Sequence, residues 1–197
     1  MSDNGINASR RRFLVTATSV VGAAGAVGVA TPFIKSWQPS AKAKAAGAPV
    51  KANISKLEPG QQVVYEWRGK PVFILRRTQA MLNAIKTQTD RLMDPMSNKS
   101  EQPDYAKNEF RALNDEFLVL VGLCTHLGCS PKYIPEIKPM EFDRNWQGGY
   151  FCPCHGSRFD LAGRVYKGVP APTNLEVPPY TFETEGILII GSEGDMA

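Results

Sequence analysis

The chain has 197 residues, a net charge of +4 and 43 % apolar residues, enough for one medium domain with an appendage. Its basic excess lies in residues 1–49, where six lysines and arginines face Asp3 alone, so the other 148 residues sum to about −1. A near-neutral globular part presents no basic face, which excludes nucleic-acid binding.

Residues 1–12 form a basic N-terminal segment. Ser9-Arg10-Arg11-Arg12-Phe13-Leu14 resembles the twin-arginine export signal, which implies a bacterial protein exported already folded. Phe13 to Ile34 contains no charged side chain. As a helix, such a run reaches roughly 33 Å, enough to cross a hydrocarbon core of about 30 Å. A transmembrane signal-anchor is therefore predicted over 13–35, with Phe33, Ile34 and Trp37 at the far interface. A cleaved signal peptide is the competing reading, because "AKAKAAGA" (41–48) offers small residues. The arginines are expected in the cytoplasm and the rest in the periplasm, giving a single pass of the bacterial inner membrane. Residues 36–49, small residues with lysines and prolines and no apolar periodicity, read as a flexible hinge.

From 50 to 197 the pattern changes to short β-type runs separated by turn residues. A hairpin is predicted over 61–77, turning at Arg68-Gly69-Lys70, and strands lead through 116–124 and 148–154. Two more hairpins are predicted over 160–166, turning at Ala162-Gly163, and over 180–191, turning at Glu185-Gly186. Residues 78–93 carry helical spacing at Met81, Leu82, Ile85, Leu92 and Met93, and 94–110 reads as a polar surface loop. The fold class is mainly β: an antiparallel domain with a helix–loop insertion, plus one N-terminal transmembrane helix. No internal repeat is visible.

All four cysteines and both histidines fall in two hexapeptides, "CTHLGC" (124–129) and "CPCHGS" (152–157). Two disulfides would explain the cysteines of an exported protein and leave the histidines without a role. Cys124-x-His126 and Cys152-x-x-His155 instead put one thiolate and one imidazole on each loop, a four-ligand metal site. Zinc accepts two cysteines and two histidines, but its fingers usually pair like with like. The mixed pairs suit a binuclear iron–sulfur cluster, with both cysteines on one iron and both histidines on the other.

These two motifs resemble the loops of the Rieske [2Fe–2S] proteins of cytochrome bc-type quinol–cytochrome c oxidoreductases. The resemblance implies one Rieske-type cluster per chain, with Cys124, His126, Cys152 and His155 as ligands and Cys129–Cys154 as a disulfide. It places a third, proline-containing loop at "GVPAP" (168–172) and a cluster-binding subdomain at about 120–172. Ser157 corresponds to a hydrogen-bond donor that raises the cluster potential. Phe159 stands where many members have a tyrosine donor, which implies a lower potential here. His155 and His126 are the implied catalytic pair, His155 bonding the quinol. Leu127, Gly128, Pro153 and Pro170 would form an apolar rim docking on the cytochrome b subunit. A c-type cytochrome subunit would take the electron, quinol (ubiquinol by the lean of the ligand set) would give it, and the whole would be a dimeric membrane complex with coupled proton release and translocation. The rival within the same chemistry is the small Rieske subunit of an exported arsenite oxidase; soluble Rieske ferredoxins and ring oxygenases usually lack both the second cysteine pair and the anchor.

Overall fold

The computed structural model of the chain describes residues 7–99 and 102–192. The first six positions of the predicted cytoplasmic segment, two positions of the 78–110 insertion and the last five residues lie outside the described residues. The chain forms two compact units, Met1–Ala45 and Ala46–Ala197.

The first unit is built on one helix, α1 (Ala8–Ser36). Its start precedes the apolar run because Asn7 caps it, the Asn7 side chain accepting the Arg10 N–H at 3.1 Å. Hydropathy marks the span that suits lipid, whereas the cap marks where the helix begins, so the arginines join the first turns. Pro32 lies inside the helix and removes one backbone donor. No residue of α1 is buried, Phe13 being 71 % and Ile34 61 % exposed. With a mean hydropathy of 1.8 over 18 residues, it is long and apolar enough to cross a membrane.

Residues 36–49, expected to lack structure, hold a short helix, α2 (Ala41–Ala46), whose first turn is capped by Ser40 Oγ accepting the Ala43 N–H at 3.2 Å. Alanine and lysine favour helix intrinsically. A search for apolar periodicity passes over such a segment because no face of it is apolar.

The second unit consists of three three-stranded antiparallel sheets. In the first, β1 (Val50–Asn53) pairs with β9 (Ile187–Ile190), and β9 with β8 (Tyr180–Thr184). Val50 lies opposite Ile190, so the two ends of the unit close on each other. The second sheet joins β2 (Gln62–Trp67), β3 (Lys70–Arg76) and β4 (Phe117–Val121) in that order. Arg68 and Gly69 make the β2–β3 turn with φ of 53° and 71°, the left-handed pair that a two-residue hairpin needs. All five residues of β4 are buried, which is why its sequence, FLVLV, is apolar without alternation. The third sheet joins β5 (Lys132–Ile134), β6 (Gly149–Phe151) and β7 (Arg158–Phe159). Tyr150 and Phe159, opposite each other in it, are both fully buried in the main core with Leu118, Leu120 and Leu161.

The hairpin expected over 160–166 forms as a tight one: Phe159 bridges Val165 antiparallel, the Asp160 N–H donates to the Arg164 carbonyl at 2.9 Å, and Asp160 accepts the N–H groups of Ala162 (2.9 Å) and Arg164 (2.8 Å) on one carboxylate oxygen. Two expectations need correction. The predicted helix over 78–93 ends early. α3 (Gln79–Lys86) starts at Thr78, buries Met81, Ala84 and Ile85, and gives way to one 3₁₀ turn at Thr89–Arg91. Leu92 then bridges to Tyr166 in a second, smaller core with Trp146, so its apolar spacing served packing rather than helix. Finally, 94–110 is not all surface. Ser97 and Ala106 are fully buried and Asp94 nearly so, the Asp94 carboxylate accepting the N–H groups of Asn98 and Lys99. Polar composition there supplies hydrogen bonds inside the fold.

Candidate metal centre

The two hexapeptides fold into the same turn. The Cys124 N–H donates to the Cys129 carbonyl at 2.8 Å, and the Gly128 N–H to the Cys124 carbonyl at 2.9 Å. In the second loop Cys152 donates to the Ser157 carbonyl at 2.8 Å and Gly156 to the Cys152 carbonyl at 2.9 Å. The glycine at the fifth position has φ of 79° in one and 76° in the other, which a side chain would strain. Only that glycine and the first cysteine are shared in sequence, so the repeat was invisible there.

Different sheets carry the two turns. The first follows β4 after Gly122 and Leu123, and the second fills the connection between β6 and β7. A disulfide between Cys129 and Cys154, with Cα atoms 6.7 Å apart, ties one to the other. Cys124 and Cys152 are free and buried. The His126 and His155 rings meet edge to face with centroids 4.7 Å apart. The sulfurs of Cys129, Cys152 and Cys154 lie within 4.8 Å of one another, but two of them are bonded together, so that trio is not a ligand set. The loops therefore bring two free thiols and two imidazoles to one place.

The residues suit a metal group. The buried Nδ1 of His126 has no hydrogen-bond partner, a costly state for a polar atom that a metal bond would relieve. Burial pushes the Cys124 thiol up, the His126 N–H pulls it back, and contact with the Cys152 thiol pushes it up again. So raised, the Cys124 thiol favours keeping its proton until a cation takes its sulfur as a thiolate.

Ser157 is fully buried, accepts the Ala171 N–H on Oγ at 3.0 Å and lies near the Cys124 thiol, which it pulls down. Thr125 Oγ1 donates to the Thr173 carbonyl at 2.7 Å. Each loop thus has one hydroxyl that meets "GVPAP" or the residue directly after it, Ser157 at Ala171 and Thr125 at Thr173. Phe159 is fully buried. Leu127 is 71 % exposed, and Gly128, Pro153, Pro170, Cys154 and His155 are exposed, while His126 is half-buried. Sequence reasoning passed over Thr125, Ala171 and Asn174. Their contributions run through backbone groups or through a contact distant in the chain, and no residue-type pattern signals that.

Residues 1–40 match the family model described as Ubiquitinol-cytochrome C reductase Fe-S subunit TAT signal, and residues 48–180 match the model described as Rieske [2Fe-2S] domain. The ubiquinol-cytochrome c reductase iron-sulfur subunit of Allochromatium vinosum is 53 % identical over 98 % of this chain and 93 % of its own. The protein of the same name from Blastochloris viridis is 44 % identical over 97 % of each. The mitochondrial cytochrome b-c1 complex subunit Rieske of Gallus gallus is 39 % identical over 91 % of this chain and 59 % of its own.

Proposed function

Because this chain belongs to the Rieske [2Fe–2S] domain family, we propose that it serves as the iron–sulfur subunit of a ubiquinol–cytochrome c reductase, with Cys124 and Cys152 holding one iron and His126 and His155 the other. The observation carrying the ligand set is the convergence of two free buried thiols with two histidines, one of which has an orphaned buried Nδ1. When bound, the cluster supplies a one-electron couple whose potential is raised by two neutral imidazole ligands.

The chain's own residues do the rest. His155 is exposed, so a quinol can meet the ring nitrogen that faces away from the metal; once that nitrogen has released its own proton, it can accept a hydrogen bond from a quinol hydroxyl and then the quinol's proton. His126, with Nδ1 assigned to the metal, keeps Nε2 for the same purpose. Leu127, Gly128, Pro153 and Pro170 form an exposed apolar rim that excludes water when docked on a cytochrome b subunit. The disulfide holds the two loops in register. α1 anchors the subunit in the bacterial inner membrane with the arginines cytoplasmic and the second unit periplasmic, and residues 36–49 let that unit move between cytochrome b and a c-type cytochrome within a dimeric complex. The relatives' names favour this reading over the arsenite oxidase one.

Electron paramagnetic resonance of reduced membranes containing the full chain tests it. A Rieske signal is expected from the wild type and none from Cys124→Ser, His126→Ala, Cys152→Ser or His155→Ala. Silence in the wild type would point to zinc, and an unaltered signal in any variant would remove that residue from the ligand set.

A further inference from the structure

The insertion at 78–110 takes no part in the chemistry above, yet residues beside the metal loops reach into it twice. Arg164, fully buried, donates to the carbonyls of Ile85 at 2.6 Å and Pro95 at 3.0 Å. Asn174, 2 % exposed, donates from Nδ2 to the Asp94 carbonyl at 3.0 Å and to Ser97 Oγ at 3.3 Å. Its Oδ1 accepts the Val165 N–H at 2.8 Å. Both N–H groups and the carbonyl of this amide are engaged, which fixes its rotamer and its orientation.

Asn174 lies in a segment held along its length. Ala171 donates to Ser157 Oγ, the Thr173 carbonyl accepts from Thr125, and the Leu175 carbonyl accepts from Arg111 at 2.6 Å while its N–H donates to Gly163. The Ala171 contact has a directional consequence. A hydroxyl has one proton, and an N–H arriving at the oxygen occupies a lone pair and leaves that proton for another acceptor, with the Cys124 sulfur close by. Hydrogen bonds to charged acceptors are the strong ones, and they weaken steeply with misalignment.

We propose that Asn174 and insertion residues 94–97 form a latch that holds the proline loop at the depth where Ala171 aims the Ser157 hydroxyl at the Cys124 sulfur, making Asn174 a positioning residue for the redox centre. The proposal rests on the reading of Ser157 as a donor to a ligand sulfur. The insertion then buttresses the third loop from behind.

The test is a redox titration, followed by electron paramagnetic resonance, of full-length protein in membranes: wild type, Ser157→Ala, Asn174→Leu and the double variant. Ser157→Ala is expected to lower the midpoint. Asn174→Leu should lower it by part of that shift, and the double variant should titrate with Ser157→Ala alone. An equal Asn174→Leu shift in both backgrounds, or none in the wild type, overturns the latch. A Ser157→Ala midpoint equal to wild type overturns the serine's role and the latch with it, and shows which reading failed without recourse to Asn174. If Asn174→Leu does not accumulate, Ser97→Gly removes one bond at the insertion end and suits the φ of 56° there. It should give a smaller shift of the same sign, absent in the Ser157→Ala background; a wild-type midpoint counts against the latch.

Discussion

At the residue scale the centre is governed by what can and cannot donate to sulfur. Phe159 fills a fully buried position and offers no hydroxyl. Phe159→Tyr is expected to raise the cluster midpoint by adding a donor, and a redox titration showing no change would leave the phenyl ring as packing alone. Backbone room is as specific as side-chain chemistry. A Cβ on Gly149 would lie 2.1 Å from the Phe159 carbonyl oxygen, across the β6–β7 pairing that opens and closes the second loop. Gly149→Ala should therefore cost about 3 kcal/mol or more and lower the melting temperature sharply. Gly128→Ala, with open space around its Cβ but φ of 79°, should cost only about 1–2 kcal/mol in the same thermal melt. The cysteines and histidines were legible from the sequence because soft ligands are scarce and were clustered. Asn174 and Ala171 were not, since an amide and a backbone N–H carry no sign of the partner that the fold brings to them.

At the scale of elements, the hairpins at 61–77 and 180–191 were legible because turn glycines flank runs of β-type residues, and α3 because three core positions share one face. The hairpin over 160–166 was legible from its Ala162-Gly163 turn, but the Asp160 carboxylate that curls it was not. That carboxylate has a second partner: Asp160 and Arg164 form an ion pair at 2.7 Å with side chains 2 % and 1 % exposed. Removing one member of such a pair leaves an uncompensated buried charge. Asp160→Asn is expected to destabilise the second unit by about 3–5 kcal/mol in chemical denaturation. Because Arg164 also reaches the carbonyls of Ile85 and Pro95, hydrogen exchange should rise first in α3 and the residues after it. Uniform exchange across the unit would show that the pair does not hold the insertion.

At the scale of the whole molecule, pH sets one limit. Burial raises Tyr180 to about 12 and also raises Tyr133, Tyr150 and Tyr166. The unfolded chain loses these phenolic protons near pH 10, before the folded one does, so this stability is whole below about pH 10 and fades as pH rises through 12. Arg77 and Arg111, lowered by burial to about 10, act in the opposite sense over that window, two groups against four. Thermal melts should hold steady to about pH 9.5 and fall above pH 10, with phenolate absorbance rising as the unit unfolds; phenols titrating at 10 in an intact fold would contradict this. The segment between anchor and domain has a mechanical side that its composition concealed. Six residues wound as α2 cover about 9 Å, and the same six drawn out cover roughly 20 Å. So short a helix is held by few bonds and is marginal on its own. A proline run over 41–46 would fix the drawn-out length, and turnover is expected to fall while the resonance spectrum stays unchanged. Were those roughly one and two-thirds turns to melt, the segment would lengthen by about 11 Å, a reserve of reach that a plain leash of the same composition would not store.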